Sequence, residues 1–287
     1  YNLESTEAGA NFYSTGDTWA ESTSVWAQRS AALTILGGDA DVDAFAKQTR
    51  SNEQDVAAAI IELKAKAVAD KFEKTSISGY TSSTYSAKEF KGLMHLLAEC
   101  ESATTTDWDD PNNTQVIAAS ATSGVLTIAM LDELRDAVKP KPDLYLMSRR
   151  MRRWLQGLAR AAGNNLEYVA DPRRLGHLIT MFGEQEVLIS DWIPDNIQDG
   201  AASIVTTRSW TQSTTRASGY DNSVIFCLRF DDNDAVAGLT NGWVQTEDIG
   251  KLETKDADRT RIKFYCGMAN FGKVGLAGLI DVLDVAL

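Results

Sequence analysis

The sequence predicts an α+β fold. Three observations carry that prediction: a polar, extended stretch over residues 1–48, one unusually long helix after it, and a later helix–strand–helix–strand order that sets helices against a sheet. The first stretch is rich in Ser, Thr, Gly and Glu and shows no helical apolar stripe. Phe12, Tyr13, Trp19 and Trp26 are isolated aromatics within this polar stretch. Two readings are open for it: a mobile loop, or an arm whose aromatics dock on something else. A weak strand, Ala31 to Leu36, ends at Gly37-Gly38.

Ser51-Asn52-Glu53-Gln54 has capping-box spacing and predicts a helix running to about Lys74. Val56, Ile60, Leu63 and Ala67 mark its apolar face, and Glu62–Lys66 and Asp70–Lys74 are favourable i,i+4 pairs. At 1.5 Å per residue it would be about 34 Å long. A Ser/Thr-rich loop (Tyr80 to Ser86) precedes a helix over Ala87–Cys100, with His95 expected on its surface or flank. The polar stretch Glu101 to Gln115 reads as a loop. Next come a helix near Thr127–Val138, stopped by Pro140 and Pro142, and a buried strand over Asp143–Ser148. A helix follows with Ser148 as N-cap and Gly163 at its end. The apolar run Leu175–Phe182 and strands at Glu186–Asp191 and Ser223–Phe230 complete this unit. Near the end, Thr260, Ile262, Phe264, Cys266 and Met268 alternate with Arg261, Lys263 and Tyr265 as a half-buried strand. Gly272, Gly275 and Gly278 interrupt the apolar tail.

Composition excludes several function classes. Lys plus Arg is 28 and Asp plus Glu is 40, so the net charge is −12, unsuited to tight wrapping of nucleic acid. No apolar run reaches the roughly 18–20 residues that span a bilayer. Tyr1-Asn2-Leu3-Glu4-Ser5 has no signal-peptide pattern, and the missing Met is expected if an upstream segment is removed. Three cysteines (Cys100, Cys227, Cys266) and two histidines (His95, His177) offer neither a disulfide framework nor a metal-ligand pattern. No GxGxxG, P-loop or GxSxG sequence occurs, so His177 with Asp171 and Asp191 reads as structural. Asp39, Asp41 and Asp43 fail as a calcium loop, since Ala44 and Arg50 replace the needed Gly and Glu; a turn and a polar strand edge is expected instead. Asp107, Asp109 and Asp110 lie in a hydrophilic stretch with nothing to raise a carboxyl pKa. No catalytic, cofactor or metal residue is expected, and the chain is read as no enzyme.

Charge clusters remain. Arg149, Arg150, Arg152 and Arg153 are placed on the polar side of their helix, followed by Arg173 and Arg174. Subunit contact, a solvated face and nucleic acid are the three readings. The first pairs these arginines with Asp231, Asp232 and Asp234 of another copy. Glu253, Lys255, Asp256, Asp258 and Arg259 form a second cluster, read as a subunit junction or a solvated turn.

The order of Ile35–Asp43, the Ala-rich helix to Phe72-Glu73, Ala87–Leu93, Pro142–Arg150 and Arg259–Ala269 resembles tailed-phage major capsid proteins of the Hong Kong 97 type. That resemblance implies a shell protein with an extended loop over 1–48. It implies a peripheral domain (spine helix plus sheet) over 49–125 and 247–268, and an axial α/β domain over 126–246 and 269–287. It also implies hexamers and pentamers in an icosahedral shell around double-stranded DNA, with assembly in a host cytoplasm. Expected partners are further copies of the chain, a portal, scaffold or maturation protease, and a decoration protein. DNA contact should be weak and non-specific, and no membrane or cofactor is implied. Some family members crosslink a loop Lys to a neighbour; no Lys precedes Lys47, so a non-covalent shell is expected. The alternatives are an encapsulin-like compartment and a small-molecule α/β enzyme. A body of about 240 residues has a radius of gyration near 18 Å, whereas a limb of about 16 residues reaches about 53 Å. Such an arm cannot fold back wholly on its own body.

Overall fold

The computed structural model describes residues 2–6, 9–21, 23, 25–50, 55–79, 88–100, 115–120, 124–163, 167–170, 178–198, 213, 215–219, 221–272 and 274–284. The N-terminal stretch holds two strands, β1 (Asn2–Thr6) and β2 (Val25–Gln28), paired antiparallel as a separate two-stranded sheet. Then β3 (Thr34–Asp43) runs straight through Gly37 and Gly38, which were expected to end it. The glycines permit close approach instead: a Cβ on Gly37 would lie 2.2 Å from the Ile262 carbonyl oxygen, and one on Gly38 2.4 Å from Lys64 Cε. A short helix, α1 (Ala44–Arg50), follows without a sequence signal that predicted it. Asp43 caps it, its Oδ1 accepting from the amides of Phe45 (2.8 Å) and Ala46 (3.1 Å).

The long helix α2 spans Val56–Ser78. Its N-cap is Asp55, which accepts from Ala57 and Ala58, so the helix starts later than the capping box suggested; Ser51–Gln54 lie outside the described residues. Only Val68, Thr75 and Ile77 are buried on it. Leu63 is 68% exposed and Ala67 is exposed, so the expected apolar face is half covered. Phe72 anchors the helix, its ring 5.6 Å from that of Phe264 and 5.7 Å from that of Phe90. Helix α3 is only Leu93–Ala98, shorter than the expected Ala87–Cys100. The Gly92 amide donates to the Gly79 carbonyl at 2.9 Å. A Cβ at Gly92 would sit 2.6 Å from the Gly79 nitrogen, so the two backbones cross there and helix begins only after them.

The remaining elements are β4 (Val116–Ala118), β5 (Gly124–Val125), α4 (Ile128–Ala137), β6 (Leu144–Met147), α5 (Arg149–Ala161), β7 (Glu167–Ala170), β8 (Leu178–Phe182), β9 (Gln185–Ile189), β10 (Ser223–Leu228), β11 (Val236–Thr240), β12 (Gln245–Lys251), β13 (Ala257–Asn270) and β14 (Leu276–Leu283). Ser148 caps α5 as the sequence predicts, Thr127 caps α4 at the start of the expected helix, and Gly163 turns the chain with φ 70°. The larger sheet has the order β4-β14-β10-β6-β9-β8-β7, with β5 also on β14. It is mixed: β6 pairs β9 in parallel, with α5, β7 and β8 between them in the chain, while β10 pairs β6 and β14 antiparallel.

Strand alternation divides the core in two. Val224, Phe226, Leu228, Leu276 and Ile280 face α3 and Ile77. Ile225, Cys227, Ala277, Leu279, Tyr145 and Met147 face α4 and α5 through Leu131, Leu134, Met151 and Leu155. The dry setting pushes the Cys227 thiol up to about 12 and raises the Tyr145 phenol, whose hydroxyl donates to the Leu131 carbonyl at 3.2 Å. The glycine-spaced tail is therefore not a broken segment. It is a central strand with every residue buried, and Gly278 makes room for Leu97, whose Cδ2 would be 2.2 Å from an added Cβ. The smaller sheet is organised by β13, which pairs β3 along one side and β11 and β12 along the other.

Candidate assembly interface

The arm is a hairpin with no further strand beside it among the described residues. Its tip is held by its own contacts. The Tyr13 hydroxyl accepts from the Ala20 amide (3.1 Å) and donates to the Ala20 carbonyl (3.4 Å). The Tyr13 and Trp19 rings stack with centroids 4.3 Å apart, and the Ser14 amide donates to Asp17 Oδ2 at 2.6 Å. This brace makes Tyr13 half-buried and turns Phe12 (108% exposed) and Trp19 (78%) outward. Large apolar rings so exposed are the kind of anchor that interfaces use. Trp26 lies in β2, opposite Glu4, and its side chain is not among the described ones.

The arginines of α5 separate by position. Arg149 is exposed and forms a two-pronged pair with Asp191, Nη2 to Oδ2 at 2.7 Å, which holds the Asp191 carboxyl below its usual range. Arg150 does not sit on the polar face. It is 6% exposed, with Nη1 3.0 Å from Asp284 Oδ1, Nε 3.3 Å from Asp195 Oδ1 and Nη2 donating to the Asp221 carbonyl at 2.6 Å. The residue one position along from Arg149 turns toward the strand ends, so spacing alone misplaces it. Arg152 is half-buried at an open cleft of about 410 Å³ shared with Asp70, Glu73, Arg149, Ile189, Asp191 and Trp192; Arg153 is exposed. Arg173 and Arg174 lie outside the described residues, as do His177 and the acidic stretch with Asp107, Asp109 and Asp110.

The acidic partners are partly engaged in their own chain. Arg229 holds Asp231 (2.9 Å) and Asp234 (3.4 Å), leaving Asp232 exposed. In the second cluster, Glu253, Lys255 and Asp256 are exposed between β12 and β13. Asp258 meets Lys47 at 3.2 Å, and Arg259 is committed to Asp41 by two bonds of 2.6 and 2.7 Å. Arg261 makes the same fork on Asp39 (2.6 and 3.0 Å). These cross-strand pairs follow the β3–β13 register, Arg259 opposite Asp41 and Arg261 opposite Asp39. The signal was readable: Asp39-x-Asp41 and Arg259-x-Arg261 share a two-residue period with opposite charge. His95 is also corrected. It is 4% exposed, its Nε2 3.2 Å from Glu99 Oε1, a carboxylate four residues on that makes a buried imidazole tolerable.

The Asp forks have a pH consequence. Arg261 holds the Asp39 carboxyl, and Arg259 the Asp41 carboxyl, below the usual range, chiefly through these hydrogen bonds. A depressed folded pKa contributes stability that is complete above the ordinary carboxylate value of about 3.9 and is lost as pH falls through the lower, folded value. An Asp39→Asn, Asp41→Asn variant should therefore have a lower denaturation midpoint at neutral pH. It should also show a shallower loss between about pH 5 and pH 2 than the parent, followed by urea titration. Equal slopes would show that the forks do not contribute.

Among the described residues no group of His, Cys, Asp and Glu could hold a metal ion, and no helix is long and apolar enough to cross a membrane. A long helix laid on a sheet organised by one strand, an α/β unit and a projecting hairpin together make the Hong Kong 97-type fold of tailed-phage major capsid proteins. No family model matches the sequence, and no curated protein sequence matches it. Solved structures do. The holo-SrpI encapsulin complex from Synechococcus elongatus PCC 7942 matches with a TM-score of 0.61 and 16% identity over 94% of this chain and 79% of that one. The capsid of a native GTA particle gives 0.60 and 12% over 98% and 84%, and Mycobacterium phage Bobi gives 0.57 and 14% over 98% and 84%. At these identities the likeness is one of fold.

Proposed function

We propose that this chain is a structural shell protein: a major capsid protein whose copies form hexamers and pentamers of an icosahedral shell enclosing the double-stranded DNA of a tailed phage. The observation that carries the reading is the arm. An isolated two-stranded hairpin is marginal in water, and this one ends in outward-facing Phe12 and Trp19. Burying each ring on a neighbour is worth about 1.5–3 kcal/mol, repeated at every subunit. In this reading the part of 1–48 before β3 is the inter-subunit loop, α2 and the β13 sheet with β3 form the peripheral body, and the β10–β14 sheet forms the axial one. Phe12, Tyr13, Trp19, Trp26, the outer arginines of α5, Asp232, Glu253, Lys255 and Asp256 are the contact candidates. The net charge of −12 suits a wall along which packaged DNA slides. Portal, scaffold or protease and decoration partners belong to the same reading, and the role is structural with no reaction to catalyse.

The likeness to an encapsulin shell supports a second reading, a protein-filled compartment. Negative-stain microscopy and size-exclusion chromatography of the purified chain should show closed megadalton particles. Nuclease-protected DNA inside them supports the phage reading, and a protein cargo supports the compartment. A small soluble oligomer under all conditions would overturn both.

A further inference from the structure

The arm joins the body over residues 29–33, where Ser30, Ala32 and Leu33 are exposed. Arg29, the residue after β2, is different: its side chain is 9% exposed and runs to the C-terminal end of α3. There its Nη2 donates to the Glu99 carbonyl oxygen at 2.9 Å, and its Nη1 lies 4.0 Å from Glu99 Oε1. A cation at a helix C-terminus meets carbonyls that the helix leaves unpaired. Glu99 is itself 7% exposed. Lys91 Nζ donates to both of its carboxylate oxygens, at 3.0 and 3.1 Å, and His95 Nε2 lies 3.2 Å from Oε1. A buried carboxylate needs such partners to remain in place. Every residue of α3 is buried, with Leu93, Met94, Leu96 and Leu97 in the core, so Glu99 is fixed to the rigid body.

We propose that Arg29 and Glu99 form a latch that sets the direction of the arm at its root. Lys91 and His95 hold the Glu99 end, and Arg29 is the peg by which the arm engages it. With the latch closed, the hairpin leaves the body at one angle. With it open, the arm swings as a unit while both sheets stay intact. A held arm has already met part of the ordering cost of docking, so the latch acts on presentation and not on the docked contact itself. The inference stands on the arm root alone and does not need the shell reading.

Hydrogen exchange read by mass spectrometry on the full chain tests it. The parent, Arg29→Met, Glu99→Gln and the double variant are compared in one assembly state. Amides over 25–33 should exchange about tenfold faster or more in each single variant, while α4, α5 and β14 keep their protection. The double variant should be no faster than the faster single one, because both changes open the same contact. Arg29→Lys, which keeps the charge and loses the fork, should fall between parent and Arg29→Met. Unchanged exchange at 25–33 in Arg29→Met, or additive effects in the double variant, would overturn the latch. Should Glu99→Gln loosen the whole body, Arg29→Met decides alone, since it removes only the arm's side of the contact.

Discussion

Replacing Phe12 and Trp19 together by Ser should abolish particle formation while leaving the subunit fold intact. Both rings lie outside the two cores and project from the arm tip, so their loss takes nothing from either core and, within the chain, removes only the Tyr13–Trp19 stack. Substitutions at such sites change subunit stability by within about 0.5 kcal/mol, which is about 1–2 °C in melting temperature at this size. Interface anchors behave otherwise. Truncating one commonly costs about 2 kcal/mol or more, and about 1.4 kcal/mol is already tenfold in affinity. Because each subunit of a closed shell would make the same contact, the deficit recurs around the whole particle. Light scattering and microscopy should show at least tenfold fewer particles, with an unchanged far-UV spectrum. Tyr13→Phe makes the control. It keeps the ring on Trp19 and removes the two hydrogen bonds to Ala20, so it should weaken assembly less than the double change. Normal shell yield from the Phe12→Ser, Trp19→Ser chain would remove the arm from the assembly reading.

The contrast between arm and body also marks where the sequence could be read. The helices capped by Thr127 and Ser148 lie where side-chain chemistry places them, because a cap is a local interaction between neighbours. The alternation from Thr260 to Met268 likewise foretells a strand, though it runs longer, over Ala257–Asn270. Misreadings fall where a distant residue decides. Gly278 breaks an apolar pattern in sequence, yet it lies under Leu97 in a fully buried strand. Gly37 and Gly38 look like a stop, yet they accommodate Ile262 and Lys64. His95 reads as a surface residue until Glu99 meets it, a carboxylate that Lys91 and Arg29 hold in place. In the candidate interface, Phe12 and Trp19 are exposed, as a stretch without an apolar stripe would leave them, whereas Tyr13 is half-buried against Trp19. The arginines were not separable, because identical residues at adjacent helix positions face different surroundings.

Arg150 shows how large that difference is expected to be. Arg150→Met should destabilise the subunit by about 3 kcal/mol, whereas Arg149→Met and Arg153→Met should each cost under about 0.5 kcal/mol. Removing one member of a buried ion pair leaves charge without its partner, and such losses run to about 3–5 kcal/mol. The lower end applies here because neither carboxylate is stranded. Asp284 keeps Arg216 at 2.7 Å, and Asp195 still accepts from the Ser148 hydroxyl at 2.6 Å. What is lost is the bond to the Asp221 carbonyl and the charge that lies between the two acids. Burial lowers the Arg150 pKa while Asp195 and Asp284 raise it, so the guanidinium is held in place by those acids and not by solvent. Arg149, by contrast, is 73% exposed in its side chain, and water replaces Asp191 when the pair is broken. Urea denaturation of the three variants, under conditions where subunits are dissociated, separates the cases by midpoint. Equal midpoints for all three would mean that Arg150 is solvated like its neighbours, and the polar junction between α5, Asp221 and the end of β14 would have to be redrawn.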